Sequence, residues 1–268
     1  MKRIYLSAFC TDFRDYDRLA ALARAEADTG IELGTSWHYP EFNALLDAQQ
    51  RRLADLPITL HAPFVEICGA PDSEERRDME RRFRRAFRWY RDFHADSMVM
   101  HTHEKIVLPE ERTQLQEYAR QAIWAVAQEA RQKNVRLMVE NVGYPAKSNV
   151  LFDQEEFIAL FGDLPPEVDA LIDTGHAMAN GWDLPAVVER LGTRIGAFHL
   201  HNTDGVHDLH RPLFETGLCY TPEQAEDLLR VIGQYCPAAE LILEYAPGPH
   251  ITHSLIHSDI ERIRQILQ

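Results

Sequence analysis

The sequence predicts an α/β fold, a single (β/α)8 TIM barrel, from two observations. Eight short apolar or β-branched runs alternate with eight stretches whose apolar residues recur at helical spacing. The length, 268 residues, is also typical of one such barrel. No linker or composition break divides the chain, so we expect one domain over residues 1–268. A doubly wound sheet is disfavoured because no glycine-rich phosphate loop follows the first strand.

The predicted strands are short runs bounded by turn or polar residues. They are expected near 3–9, 29–34, 57–62, 96–102, 135–142, 168–173, 194–201 and 239–245.

The predicted helices lie between these strands, and several begin with recognisable caps. Asp153 precedes glutamates in a first turn, and Thr221-Pro222-Glu223 combines a cap, a first-turn proline and an acid. The helices are expected over 15–28, 40–55, 73–94, 109–134, 153–161, 184–191, 221–235 and 254–267.

Composition narrows the possible partners and the compartment. The net charge of −14 disfavours a nucleic-acid partner, because affinity for nucleic acid depends on neutralising phosphates. No apolar run approaches the ~20 residues of a membrane helix, and Met1-Lys2-Arg3 leads directly into a strand rather than a signal peptide. The four cysteines show no CxxC spacing. We therefore expect a cytoplasmic protein with reduced thiols; whether it forms a homo-oligomer is left open.

Seven of the eight predicted strands end in acid or imidazole side chains. In a parallel barrel these ends meet at one rim. Oxygen and nitrogen ligands of this kind suit divalent metals. The strand-end residues are Glu32, His61, His101 with His103, Glu140, Asp173 with His176, His199 with His201, and Glu244.

Two glutamates carry the strongest single signal. Glu140 and Glu244 end strongly apolar strands, where an unpaired charge is costly. A metal ion would satisfy both, and an ion pair with arginine or lysine is the alternative. Asp173 and His176 can face the same centre, and we expect Gly175 to permit a tight turn between them.

The segment after the seventh strand offers a second cluster. His199 and His201 have the same strand parity, so both can point inward. Asp208 and His210 lie two residues apart on the following loop and can join His176. The alternative is an Asx-turn loop with surface histidines.

Two further features have less specific interpretations. Phe9, Trp37 and Phe64 lie just past strand ends, where they could wall a sugar pocket or simply pack the loops. The arginine-rich stretch 77–91 carries an apolar face, which predicts a solvated outer helix face; a partner or nucleic-acid surface is the alternative.

Over nearly its whole length the chain resembles the xylose isomerase-like TIM-barrel superfamily, which includes sugar isomerases, ketose epimerases, inosose dehydratases and type-IV apurinic endonucleases. The resemblance implies that one divalent ion, Mn²⁺, Co²⁺ or Mg²⁺, is bound by four residues, two of which also act as acid and base. These four are Glu140, Asp173, His199 and Glu244.

Further residues match the type-IV endonucleases, in which three zinc ions cleave a phosphodiester. They are His61 in LHAPF, His101 in MHTH, His176 in DTGH, and Asp208 with His210 in DLH. The implied zinc sets are His61, His101 and Glu140; then Glu140, Asp173, His199 and Glu244; then His176, Asp208 and His210. After His210 the chain continues as Arg211-Pro212-Leu213, where that family has a glycine-rich turn.

The leading hypothesis is a divalent-metal-dependent isomerase or epimerase of a small sugar, sugar phosphate or polyol. Glu140, Glu244 and His176 are its catalytic candidates. The candidates for substrate binding are Arg211, His201, Trp37 and Phe64. The cofactor is expected to be one to three ions of zinc, manganese, cobalt or magnesium.

Three alternatives stay open. One is a multi-zinc phosphoesterase resembling the type-IV endonucleases. Another is a lyase of the inosose dehydratase type on the same metal core. The third is a barrel without catalysis that serves as a binding partner.

Overall fold

Eight parallel strands close into a barrel in chain order, with β1 pairing with both β2 and β8. The computed structural model describes residues 2–35 and 40–268. The predicted (β/α)8 fold is therefore confirmed. The strands are β1 Ile4–Ser7, β2 Thr29–Gly34, β3 Ile58–His61, β4 Met98–His101, β5 Leu137–Glu140, β6 Asp169–Asp173, β7 Ile195–Leu200 and β8 Glu240–Leu243.

The α-helices surround the barrel, and each predicted helix has a counterpart within the described ranges. One short helix, α6, was not predicted, because it immediately follows β6 in the DTGH segment. The helices are α1 Tyr16–Arg24, α2 Pro40–Asp47, α3 Glu74–Asp92, α4 Arg112–Gln132, α5 Gln154–Asp163, α6 Thr174–Ala179, α7 Leu184–Leu191, α8 Pro222–Tyr235 and α9 His253–Ile266.

The predicted helix caps are present at α5 and α8. Asp153 and Thr221 each accept a hydrogen bond from a backbone N–H three residues later, and the side chains of Glu156 and Gln224 accept one in return from the backbone of the cap residue. Helix α2 ends well before its predicted end, at Asp47 instead of residue 55. There the backbone continues as turns, with the Gln49 carbonyl accepting from the next turn.

Strand parity arranges the barrel interior in layers. The predicted ligands lie in register on neighbouring strands, with His101 opposite Glu140 and Asp173 opposite His199. Two residues earlier on the strands, fully buried side chains fill the barrel beneath the ligands. This apolar floor consists of Tyr5, Val99, Met138, Leu171, Ala197 and Ile242.

A polar network fills the opposite end of the barrel. Arg136 bridges Asp169 at 3.1 Å and Glu240 at 2.9 Å, and Ser97 donates to Glu240 at 2.8 Å. These partners satisfy the charges at that end, so the unsatisfied ligand types concentrate at the carboxyl ends of the strands.

The arginines of α3 pair mainly with acids on the outer surface. Arg81 contacts both Glu74 and Asp78, and Arg84 contacts Glu80. This neutralisation favours the solvated-face interpretation over a nucleic-acid surface. None of the described helices combines the length and apolar character needed to cross a membrane.

Candidate metal centre

The carboxyl ends of strands β3 to β8, together with the loop after β7, bring nine predicted ligands into one cluster. These side chains are buried or largely buried. They are His61, His101, Glu140, Asp173, His176, His199, Asp208, His210 and Glu244.

One side of the cluster contains two facing imidazoles and a carboxylate. The Nε2 atoms of His61 and His101 are 3.1 Å apart. Glu140 Oε2 lies 3.6 Å from the first and 3.5 Å from the second. These three atoms form the first ligand group, on the side of β3 and β4.

The centre of the cluster is built around His199. Its Nδ1 atom lies 3.3 Å from Glu140 Oε1, 3.2 Å from Glu244 Oε2 and 3.8 Å from Asp173 Oδ2. Glu140 therefore belongs to two groups, since its other oxygen faces His61 and His101. Three carboxylates and one imidazole form this second ligand group.

The third ligand group involves the loop after β7. Asp208 Oδ2 lies 3.3 Å from His176 Nε2, and Asp208 Oδ1 lies 2.9 Å from His210 Nε2. Two backbone hydrogen bonds between Asn202 and Arg211, of 2.8 and 2.9 Å, close this loop. The closure carries Asp208 and His210 back over the barrel.

Unpaired buried atoms test whether these residues fit a metal. Glu140 Oε2, His176 Nδ1 and His199 Nδ1 are buried without a hydrogen-bond partner. Burying such atoms unpaired is unfavourable. A divalent cation would satisfy them, and the mixture of imidazole and carboxylate suits zinc, manganese or cobalt. The residues therefore fit a metal centre.

Hydrogen bonds on the outer side orient the first group. His61 Nδ1 lies 2.9 Å from the Ala62 carbonyl, and His101 Nδ1 lies 2.5 Å from the Glu104 carboxylate. Donation from Nδ1 leaves both Nε2 lone pairs facing inward, as in metal-binding histidines generally. Glu104 was not predicted, although it directly follows the MHTH segment.

In the other two groups, too, a hydrogen bond to the outer nitrogen orients a histidine. His199 Nε2 lies 3.1 Å from Glu32 Oε1, and His210 Nδ1 lies 3.1 Å from the backbone carbonyl of Glu244. Their remaining nitrogens point into the cluster. Glu32 was counted with the strand-end ligands; in the structure its oxygen orients His199.

His201 does not line the cavity but contacts the cluster, since its ring stacks on His210 with centroids 4.0 Å apart. It is fully buried, and its Nε2 lies 2.9 Å from Asp173 Oδ2. A Cβ atom on Gly175 would lie 1.9 Å from the His201 ring. Gly175 is therefore required for the close approach of this ring, whereas the sequence suggested a tight turn.

The carboxylates and imidazoles of the cluster shift one another's pKa values. Burial by itself raises the pKa of Glu140, but His199 and His101 outweigh it and hold that pKa well below its ordinary value. Burial lowers the pKa of His61 and His210, yet the neighbouring carboxylates raise each to about 9. Protons on the imidazoles thus balance the carboxylates wherever no cation does.

A cavity of about 300 Å³ opens above the ligands. Phe64 stacks on His61 with ring centroids 4.5 Å apart, and Phe9 meets His210 edge-on at 4.7 Å. Phe13, Tyr144 and Lys147 also line the cavity and were not predicted. The cavity is therefore bounded by the polar ligand cluster at its base and by partly aromatic side walls.

The remaining predicted residues differ in their surroundings, and of these His103 lines the cavity. The Arg211 guanidinium pairs with Glu215 at 2.6 Å and does not line the cavity. His103 is in contact with the Asn149 carbonyl, and burial lowers its pKa to about 4. Trp37 lies outside the described residues.

The family model described as xylose isomerase-like TIM barrel matches residues 17–258 of the chain. None of the curated proteins matches it.

Several solved structures share the fold over almost the whole chain. A D-tagatose 3-epimerase-like protein is 16% identical, with a TM-score of 0.76, covering 100% of this chain and 97% of that one. Endonuclease IV from Thermus thermophilus is 19% identical, with a TM-score of 0.64, covering 99% and 98%. The TTHB071 protein of the same organism, soaked with ZnCl2, is 22% identical, with a TM-score of 0.67, covering 97% and 98%.

Proposed function

The chain belongs to the xylose isomerase-like TIM-barrel family, and we propose that it is a divalent-metal-dependent phosphoesterase acting on a small molecule. The carrying observation is that three adjoining ligand groups share one rim, whereas a single-ion isomerase needs only four ligands. Asp208 is the decisive residue, since its two oxygens face different histidines at 3.3 and 2.9 Å.

Different residues would bind the different ions. Glu140 serves two groups through separate oxygens, and Glu244 and Asp173 complete the central one. When bound, divalent ions supply Lewis-acid polarisation of a phosphoryl oxygen and activation of a water nucleophile. The outer hydrogen bonds of His61, His101 and His199 leave their inward nitrogens free to bind ions in the cluster, where these residues would act as ligands.

The cavity favours a small substrate over duplex DNA. Its volume of about 300 Å³ is at the lower end for ligand pockets. The net charge of −14 opposes binding to a polyanion. Lys147, a cation in the cavity lining, offers a contact for a second anionic group of the substrate.

The first test is metal content per chain, measured by elemental analysis of protein purified without chelator or added metal. We expect at least three ions per chain, one for each of the three ligand groups. A single ion, particularly manganese, would contradict it and favour an isomerase.

The second test compares variants in one loop. Asp208→Asn should lower the hydrolysis of phosphomonoesters and phosphodiesters by at least ~100-fold, because it removes the charge shared by two histidines. His207→Gln is the matched control, since His207 is exposed and pairs with Asp204 at 2.8 Å. Equal turnover by the two variants would reject the third group's role.

An isomerase or epimerase is the second candidate, supported by the arrangement of Glu140 and Glu244. Both carboxylates approach the same nitrogen of His199, at 3.3 and 3.2 Å, at the cavity floor. One could remove a proton beside a carbonyl and the other return it. Deuterium incorporation from heavy water into a ketose would support this candidate, whereas loss of water from an inosose would indicate the lyase.

A further inference from the structure

A separate group of metal-ligand side chains lies on the outer surface, away from the cavity. His253 and His257 occupy the first turns of α9, and Glu26 follows the end of α1. None of the three lines the cavity above the barrel. The strands behind these helices, β1 and β8, form the pairing that closes the barrel.

The two histidines are presented on one face of α9. Residues four apart on a helix are neighbours on its surface. Their rings are nearly parallel, at 19°, with centroids 6.1 Å apart. Both side chains are more than half exposed, at 55% and 56%, so an ion can reach them from solvent.

Glu26 differs from an ordinary surface acid because its side chain is only 3% exposed. Its Oε1 atom lies 3.2 Å from His253 Nε2 and 3.1 Å from His257 Nδ1. Among the described residues, no lysine or arginine forms an ion pair with it. A buried carboxylate whose partners are two exposed imidazoles needs positive charge at that point.

Each imidazole lies at ligand spacing from the carboxylate. Zinc bonds of about 2.0–2.2 Å at tetrahedral angles put neighbouring ligand atoms about 3.4 Å apart. The two contacts of Glu26 Oε1, at 3.2 and 3.1 Å, are close to that value. The two imidazole nitrogens are not at ligand spacing from each other, so a shared ion requires an imidazole to rotate. Both rings are more than half exposed, which leaves room for that rotation.

We propose that Glu26, His253 and His257 form a second, independent binding site for a zinc-like divalent ion. The chemistry selects Zn²⁺, Co²⁺, Ni²⁺ or Cu²⁺, which accept imidazole readily, over Mg²⁺ or Ca²⁺. A bound ion links the last helix to the segment after the first helix. It therefore stabilises the helical layer beside the seam where the barrel closes.

The test compares zinc binding by the full-length wild type and the double variant His253→Gln/His257→Gln. Each protein is loaded with excess ZnCl2 and desalted, and zinc per chain and Tm are then measured. The double variant should bind one ion fewer and lose part of the zinc-dependent rise in Tm. Glu26→Gln should weaken zinc binding at this site while preserving the side-chain shape.

The matched control is Ser254→Gln/Ser258→Gln, which changes two exposed positions four apart on the same helix. It should bind as much zinc as the wild type. Equal zinc content in the wild type and the histidine variant would overturn the proposal. A fall of more than one ion per chain would also contradict it, since the substitutions would then be acting on the central cluster.

Discussion

Individual histidines in this cluster are directed by the partner of their outer nitrogen. His101 is a suitable residue for testing this by mutation, since its Nδ1 contacts the side chain of Glu104 at the cavity wall. His199 is held by Glu32, a residue 167 positions away in the chain. The residue type makes each histidine a possible ligand, but the partner of its outer nitrogen determines which nitrogen faces the metal site.

Glu104→Gln should weaken metal binding by about 10–100-fold, because the neutral amide orients and polarises His101 less effectively. Competition with a chelator measures the change in metal affinity. Glu110→Gln is the control, being an exposed acid in the same connection between β4 and α4. Unchanged affinity in the Glu104 variant would show that His101 needs no carboxylate partner.

Gly175→Ala should lower the free energy of unfolding by about 1–3 kcal/mol or more, since the new Cβ would overlap the His201 ring. It should also reduce metal content, because His201 holds Asp173. Denaturant unfolding and elemental analysis measure the two effects. Gly162→Ala has no heavy atom within 4 Å of the new Cβ, so it should be neutral or stabilising by up to ~1 kcal/mol.

At the scale of elements, the strands β4 to β8 each contribute an apolar residue to the floor two positions before their ligand, whereas β3 has the buried Thr59 two positions before His61. The period of two makes this repetition possible, because residues two apart point to the same side. Thr221, the cap of α8, lies apart from the metal cluster, whereas Asp173 both caps α6 and belongs to the cluster. Helix boundaries and ligand chemistry are therefore separable by mutation at Thr221 but not at Asp173.

Thr221→Ala should lower the free energy of unfolding by about 1 kcal/mol by removing the capping box at α8. Metal content should stay unchanged, because α8 lies outside the barrel. Thr221→Ser retains a hydroxyl and should stay close to wild type. Denaturant midpoints of the two variants provide the comparison, and equal midpoints would rule out a stabilising cap.

At the scale of the whole molecule, closure of the barrel concentrates acidic charge at one end. Arg136 neutralises acids at the opposite end, while the ligand end retains carboxylates opposed by imidazoles. The carboxylates raise the pKa of His61, His176, His199 and His210, which favours protonation of these four imidazoles in the metal-free protein. Metal binding must displace those protons, so metal affinity should rise with pH.

The pH dependence of stability should differ in sign between metal-free and metal-loaded protein. The pKa values of His61 and His210 are about 9 in the fold, against about 6.5 when unfolded. Their contribution is therefore full below pH ~6.5 and lost as pH rises through ~9. Tm of chelator-treated protein should fall across this window, whereas excess metal should oppose the fall; a rising metal-free Tm would contradict this.

The sequence by itself determined the barrel, the order of its strands and the nine candidate ligands, because periodicity and strand-end chemistry are local properties. Tertiary structure decided which nitrogen of His199 faces inward, since its partner Glu32 lies 167 positions away in the chain. It also buried His201 against Asp173, which is 28 positions away. Packing against distant elements determines where a side chain points, and a local sequence pattern does not contain those distances.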